Sequence, residues 1–176
     1  MVQGLDILGA TKANDPSSSR LDGSAVFTKE QLWLNWYGLL GSGFSLRVAG
    51  NGQIASRPLL ASQEIGLGGI GYGRAYSFYE RSGDEGAMGL VEMRHATEKP
   101  AKFIDWLQFY GFFDGGYVSN LGGGGGSGSL MSSGAGIRSG FGKAELGLEI
   151  AVPVNDLRAE TQNKNPRVNF SVGYRF

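Results

Sequence analysis

The residues with the clearest potential for chemistry are a glycine motif and the carboxylates that follow it. Gly66-Leu-Gly68-Gly-Ile-Gly71 satisfies the pattern G-x-G-x-x-G, with Asp84 and Glu85 downstream. This pattern binds a dinucleotide when it opens a helix whose N-terminal amides hold the pyrophosphate. Here the stretch Tyr72-Gly-Arg-Ala-Tyr-Ser-Phe78 follows instead, and no strand–helix–strand alternation surrounds it. The sequence therefore predicts no nucleotide site, and with 31 glycines in the chain a chance match is expected.

No other group of residues has the spacing of an active site or a metal centre. The chain has no cysteine and one histidine, His95, which excludes disulfides, thiolate zinc sites and a histidine metal cage. No G-x-S-x-G nucleophile elbow is present. Asp84 and Glu85 are interpreted as solvated loop charges, and His95 as a rim residue at the end of a strand. The sequence predicts a protein that is not an enzyme and needs no cofactor.

Length and composition limit the remaining classes. A chain of 176 residues suits one domain or one small barrel. Its 16 basic and 16 acidic residues cancel, so no basic surface for nucleic acid is expected. Apolar residues make up 41% of the chain without any run of 18, which excludes a disordered chain and a transmembrane helix. The first residues do not resemble a signal peptide, so an export signal is expected upstream of them.

Apolar and polar residues alternate along most of the chain, which predicts β-strands with one apolar and one polar face. In the last segment every second residue is apolar and shares one face: Val168, Phe170, Val172, Tyr174 and Phe176. Eight strands are predicted, most of them long enough to cross a bilayer when tilted. Their ranges are Val2–Gly9, Ser24–Leu39, Phe44–Ile54, Ala87–His95, Leu107–Ser119, Met131–Gly140, Ala144–Val152 and Pro166–Phe176.

Long and short connections alternate between these strands. Tight turns are predicted at 40–43 and 141–143, a modest connection at 96–106, and long loops at 11–23, about 56–86, 120–130 and 153–165. Outer-membrane barrels have short turns on one rim and long loops on the other. The polar faces also carry charges that suit a wet lumen: Arg47, Glu92, Asp114, Arg138, Glu145, Glu149 and Arg175.

The predicted fold class is all-β, an antiparallel transmembrane β-barrel of outer-membrane type with about eight strands present. A soluble β-sandwich or a lipocalin-like barrel is the alternative. Alternation by itself does not decide between them, because it does not say which face points outward.

Four short motifs occur in order along the predicted loops and strands. Gly73-Arg74-Ala75-Tyr76 lies in the long loop 56–86, and Met88-Gly-Leu-Val-Glu92-Met-Arg94 follows it. Phe112-Phe-Asp114-Gly-Gly116 lies on the next strand. The terminal segment ends in alternating aromatic residues: Phe170, Tyr174 and Phe176. Together these motifs resemble the C-terminal half of ShlB/FhaC/HecB-type haemolysin activation/secretion proteins, the outer-membrane translocators of two-partner secretion.

In that family the sixth extracellular loop folds back into the lumen and carries V-R-G-[FY] at its tip. By this resemblance we expect Arg74 to lie in the lumen and to form a bidentate pair with Asp114 of the F-x-D-x-G motif, which fixes the loop. Gly116 would leave room for the loop backbone. Ala75 stands where the family has glycine, so a positive φ there would be strained.

The other two motifs have counterparts in the same family. Glu92 and Arg94 are similar to its motif G-x-x-x-E with a following Arg, although the spacing of the glycine is looser. The terminal segment, with Phe170, Tyr174 and Phe176, resembles the C-terminal signal by which such barrels are recognised for insertion.

The resemblance implies an outer-membrane pore that passes an unfolded haemolysin- or adhesin-like exoprotein. The lumen would be wet, lined by polar side chains and gated by the loop that carries Arg74. Expected partners are outer-membrane lipid, the exoprotein and the barrel-assembly machinery during insertion, with no nucleotide and no nucleic acid.

In that family a signal peptide, a plug helix and two POTRA domains precede a sixteen-stranded barrel. Residues 1–176 are therefore expected to be one domain, the C-terminal half of that barrel. Two alternatives stay open: a barrel that inserts other outer-membrane proteins, and a standalone structural barrel of eight strands closed on themselves. An outer-membrane enzyme is disfavoured, because no cluster of titrating groups is found.

Overall fold

The computed structural model describes residues 1–4 and 18–176, which form an antiparallel β-sheet. The strands are β1 Val2–Gln3, β2 Thr28–Gly41, β3 Phe44–Ala55, β4 Ile65–Leu67, β5 Arg81–Gly83, β6 Glu85–Ala101, β7 Ile104–Ser119, β8 Gly128–Phe141, β9 Ala144–Pro153 and β10 Arg167–Tyr174, with a 3-10 turn at Ala61–Gln63. Eight strands form one sheet in the order β1-β2-β3-β6-β7-β8-β9-β10, and β4 and β5 form a separate pair. The predicted all-β, antiparallel fold is confirmed.

Most predicted strands agree with the structure to within a few residues, and two regions differ. The connection predicted at 96–106 is a two-residue turn at 102–103, because β6 and β7 stay paired through Glu98 and Trp106. Backbone hydrogen bonds between the two strands continue there, although apolar and polar side chains no longer alternate along the sequence. β4 and β5 were not predicted, since three residues are too few to show a period. Of the predicted strand Val2–Gly9, residues 5–9 lie outside the described residues, as does much of loop 11–23.

The turns alternate strictly in length along the described sheet. Two-residue turns at 42–43, 102–103 and 142–143 form one rim, and connections at 56–84, 120–127 and 154–166 form the other. In the first turn Ser42 and Gly43 both have positive φ, 51° and 80°, as a type I′ hairpin turn requires. Within the described residues β1 and β10 are the sheet edges and do not pair with each other.

The two faces of the sheet have opposite polarity. One face exposes large apolar side chains along its strands, among them Leu32, Leu34, Trp36, Val91, Phe113, Val168, Phe170 and Val172. The other, called the inward face below, buries polar side chains: Ser45, Gln53, Glu92, Asp114 and Ser132. This is the reverse of a soluble sandwich and matches a barrel with lipid outside. In the described residues no helix has the length and apolarity needed to cross a membrane.

The long loop 56–84 folds onto the inward face. Its strands β4 and β5 pack against β6, β7 and β8. Apolar side chains of loop and sheet form one buried cluster: Ile65, Leu67, Ala75, Tyr76, Met88, Leu90, Phe112, Val118 and Leu130. Each large apolar side chain buried in this way contributes about 1.5–3 kcal/mol. The expected polar lining is therefore interrupted under the loop, where the loop itself shields an apolar patch of the inward face from water.

Candidate functional site

The tip of the long loop is a compact turn held against the inward face. The amide of Gly68 donates to the carbonyl of Tyr72 at 2.9 Å, and that of Tyr76 donates to the carbonyl of Gly73 at 2.9 Å. Gly73 has a φ of 81°, whereas Ala75 does not have a positive φ. The strain expected at Ala75 is therefore absent, because the left-handed position falls on Gly73 and the Ala75 methyl group packs in the buried cluster.

The guanidinium of Arg74 reaches carboxylates on three strands. Its Nη2 lies 2.8 Å from Glu92 Oε2 of β6, and its Nη1 lies 2.8 Å from Glu149 Oε2 of β9. Its Nε lies 3.0 Å from Asp114 Oδ2 of β7, without the alignment of a hydrogen bond. The expected contact of Arg74 with Asp114 is present, but the expected bidentate pair is wrong: the hydrogen bonds of the guanidinium go to the two glutamates.

Asp114 forms its hydrogen bonds to the tip with backbone amides and not with the side chain of Arg74. Its Oδ1 accepts hydrogen bonds from the amides of Gly73 at 2.8 Å and Arg74 at 3.3 Å, and from the hydroxyl of Ser132. The role expected for Gly116 is wrong. A Cβ there would lie 2.5 Å from the carbonyl oxygen of Ala87 on β6, so this glycine permits close approach of two strands, not of the loop.

Two further arginines extend the network around the fully buried Glu92. Glu92 Oε1 lies 2.7 Å from Arg94 Nε and 3.3 Å from Arg138 Nη1. Arg138 stacks on the ring of Tyr110, with 3.9 Å between Cζ and the ring centroid. Arg74 stacks in the same way on Phe112 at 4.1 Å. Cation–π contact and charge-assisted hydrogen bonds together offset the cost of burying these charges.

Three arginines and three carboxylates therefore share one neutral network, which we call the tip network: Arg74, Arg94, Arg138, Glu92, Asp114 and Glu149. The alternation of the sequence places Glu149 and Arg138 on the polar faces of their strands but does not link them to the loop. No local signal could do so, since 75 residues separate Arg74 from Glu149. In the described residues no cluster of three metal-ligating side chains is positioned to hold a metal ion.

The C-terminal aromatic residues lie away from the tip network. Phe170, Tyr174 and Phe176 are all exposed, Phe170 and Tyr174 on the apolar outer side of β10. The rings of Tyr174 and Phe176 pack edge to face with centroids 5.4 Å apart. His95 packs on Phe44 near the short-turn rim, with 4.5 Å between the ring centroids. The structure thus joins the loop tip to the motifs of β6 and β7 and leaves the terminal aromatic residues on the outer side.

A second buried cluster lies at the long-loop rim. Asp84 was interpreted as a solvated loop charge, and this is wrong, because its side chain is fully buried. It accepts hydrogen bonds from the amides of Leu59 at 2.7 Å and Leu121 at 2.9 Å and from Arg20 Nη1 at 2.9 Å. Arg20 also contacts Glu64 at 3.2 Å. Asp84 therefore joins three loop segments that are distant in sequence.

Replacing Asp84 with alanine is expected to loosen these loops without dissolving the sheet. The amides of Leu59 and Leu121 and the guanidinium of Arg20 would lose a buried acceptor, at a cost of about 3–5 kcal/mol. Amide hydrogen exchange at 56–64 and 120–127 should then accelerate by about a hundredfold or more, since 1.4 kcal/mol corresponds to a factor of ten. The matched control is Glu85→Ala, the half-buried neighbour. Unchanged exchange at Leu59 and Leu121 would contradict the assignment.

The last connection, 154–166, docks on the long loop through carboxylates and is expected to respond to acid. A hydrogen bond from Arg81 holds the pKa of Asp156 below its ordinary value of 3.8. Hydrogen bonds from Ser77 and Arg158 hold the pKa of Glu160 below its ordinary value of 4.5. Carboxylates with a lowered pKa stabilise the docked state above these ordinary values, and that contribution is lost as pH falls through the lowered ones.

Docking of 154–166 should therefore be intact above pH 4.5 and weaken progressively below pH 3.8. Because the chain has no cysteine, a dye on Thr161→Cys can report loop mobility by fluorescence anisotropy. A dye on Lys102→Cys, at the opposite rim, is the reference. Equal acid responses at both positions would contradict the carboxylate origin.

Comparison with known proteins gives one likeness of fold. No protein-family profile matches the sequence, and no curated protein matches it significantly. Among solved structures, CdiB from Escherichia coli superposes with a TM-score of 0.78 over 99% of this chain, at 17% sequence identity. The fold is similar to that of CdiB. The chain spans about a third of CdiB, 32% of its length. The predicted fold class is confirmed by this likeness, and membership of the haemolysin activation/secretion family stays a prediction.

Proposed function

We propose that this chain forms part of an outer-membrane pore of a two-partner secretion system, which passes an unfolded exoprotein. The likeness of fold to CdiB, a transporter of that kind, supports the proposal. So does the apolar outer face of the sheet, which suits lipid. In this proposal residues 1–176 are the C-terminal half of the barrel, in the bacterial outer membrane. The exoprotein would be haemolysin- or adhesin-like, and the barrel-assembly machinery would insert the barrel.

The observation that carries the proposal is the inward loop tip, anchored by the tip network. Arg74 is 5% exposed, and its partners come from β6, β7 and β9. Withdrawing the tip would leave Glu92 and Asp114 without Arg74 and expose the apolar cluster beneath β4 and β5. A fixed tip narrows the passage and leaves the polar remainder of the inward face as the path of the exoprotein. Transport along this path needs no nucleotide and no metal.

The test is the extracellular proteome of the source bacterium. Deleting the gene for this protein should remove one or a few large proteins from the culture supernatant, measured by quantitative mass spectrometry. Asp114→Asn in the chromosomal copy should lower the same proteins about tenfold while the barrel remains in the outer membrane. Asp105→Asn, an exposed carboxylate on the same strand, is the matched control. A deletion strain that still secretes every protein at the normal level would overturn the proposed function.

A further inference from the structure

Beside the loop tip lies a cavity of about 260 Å³ on the inward face. Its charged and polar walls come from β3, β8, β9, β10 and the tip itself: Arg47, Arg138, Glu149, Asn169 and Arg74. Ile70 of the tip forms part of the wall and is 87% exposed. The cavity therefore offers several guanidinium groups and one carboxylate to whatever enters it.

The single carboxylate in this wall is already occupied. Glu149 Oε2 accepts hydrogen bonds from Arg74 at 2.8 Å and from the hydroxyl of Tyr110 at 2.9 Å. Its Oε1 accepts one from Asn169 at 3.1 Å. Arg74 in turn donates hydrogen bonds to Glu149 and Glu92 at 2.8 Å. Glu149 is therefore not left to neutralise the remaining arginines of the cavity.

Two arginines of the wall keep donors free. Arg47 donates through Nε to Asn35 at 3.1 Å and forms no salt bridge with a carboxylate of the described residues. Arg138 uses only Nη1, which lies 3.3 Å from Glu92 Oε1 and 3.3 Å from Gln108 Oε1. The Glu92 carboxylate also pairs with Arg74 and Arg94. Stacking on Tyr110 holds the plane of the Arg138 guanidinium in place. Planar guanidinium groups that are held in position match the two oxygens of a carboxylate.

We infer that this cavity binds a carboxylate group through Arg47 and Arg138. The inference deepens the proposed function, on which it rests: the carboxylate is an aspartate or glutamate side chain of the exoprotein as it passes the loop tip. Acidic side chains of the passing chain would pause in this cavity, beside the loop tip. A free small carboxylate has the same chemistry, and the test separates the two sources.

The test is the titration of fluorescein-labelled deca-glutamate into the protein purified in detergent from its native outer membrane, followed by anisotropy. We expect saturable binding that weakens with salt. Arg47→Gln should weaken it about tenfold, and adding Arg138→Gln should weaken it further. Arg175→Gln is the matched control, because Arg175 is 80% exposed and lies outside the cavity. Unlabelled N-acetylglutamate amide, added as competitor, represents the small carboxylate.

Three results would overturn the inference: no binding of deca-glutamate, equal binding by wild type and Arg47→Gln, or equal loss in Arg175→Gln. Unlabelled N-acetylglutamate amide and unlabelled deca-glutamate are compared at equal concentrations of carboxylate groups. If they compete equally well, the polypeptide is refuted as the ligand, and the cavity is assigned to small carboxylates. The measurement is independent of secretion. Peptide binding with an unchanged extracellular proteome would therefore refute the proposed function and leave the cavity assignment standing.

Discussion

Replacing Arg74 with alanine is expected to lower the free energy of unfolding by about 3–5 kcal/mol. Arg74 is the only loop side chain that reaches Glu92, Asp114 and Glu149 in the described part of the chain, and each contact is 3.0 Å or shorter. Without Arg74, the buried carboxylates lose their positively charged partner, and water cannot take its place because the site is buried. The stacking contact with Phe112 at 4.1 Å is lost as well. Urea unfolding of the barrel in lipid vesicles measures the effect.

Two companion variants make this result interpretable. Arg74→Lys keeps the charge, but a compact ammonium cannot serve three carboxylates at once, so we expect a smaller loss. Arg175→Ala removes an arginine that is 80% exposed and pairs with the half-exposed Glu145. Such surface pairs contribute little, and no measurable loss is expected. If Arg74→Ala unfolded at the same urea concentration as Arg175→Ala, the tip network would not anchor the loop.

Glu92→Gln is expected to destabilise the protein by a similar amount, about 3–5 kcal/mol. The side chain of Glu92 is fully buried. Its two carboxylate oxygens form salt bridges with Arg74 at 2.8 Å, Arg94 at 2.7 Å and Arg138 at 3.3 Å. The amide is nearly isosteric, so the packing stays the same while the shared negative charge disappears. An amide NH₂ group would also point at a guanidinium, donor against donor. Urea unfolding again measures the loss.

A double-mutant cycle identifies the source of that loss. Arg74→Ala and Glu92→Gln remove two members of one network, so the double variant should lose less than the sum of the singles, by about 1–3 kcal/mol. Glu145→Gln, whose side chain is 41% exposed, is the matched carboxylate control. Additivity of Arg74→Ala with Glu92→Gln to within about 0.5 kcal/mol would show that the two residues act independently.

The contacts of the long loop bear on how the proposed pore would open. Salt bridges at the tip, the apolar cluster under β4 and β5, and Asp84 at the rim attach the loop at three levels of the inward face. Withdrawing the loop means breaking all three, whereas a chain passing beside the tip breaks none. In the proposed pore, these contacts favour a stationary loop over gating by ejection of the loop.

Local sequence was sufficient for most of the long strands and for the side of the sheet on which their alternating residues lie. Alternation of period two predicted seven of the eight strands of the main sheet in nearly their observed places, and the alternation of connection lengths predicted its two rims. The same parity placed Glu92, Asp114, Arg138 and Glu149 on one face. These features depend on the chemistry of neighbouring residues, because successive side chains of a strand point to opposite faces. The resemblance to known motifs added the pairing of Arg74 with Asp114.

Tertiary structure alone decided which of these residues meet. Arg74 contacts Glu149, which is 75 residues away in the sequence, and Leu121 contacts Asp84, which is 37 residues away. Asp84 looks like a solvated loop charge in sequence and is a fully buried acceptor in the fold. Such contacts depend on where a long loop comes to rest, which is settled by the summed burial of apolar side chains and the pairing of buried charges over the whole sheet. No stretch of a few residues contains that information, so the strands could be predicted from the sequence and the partners of the loop could not.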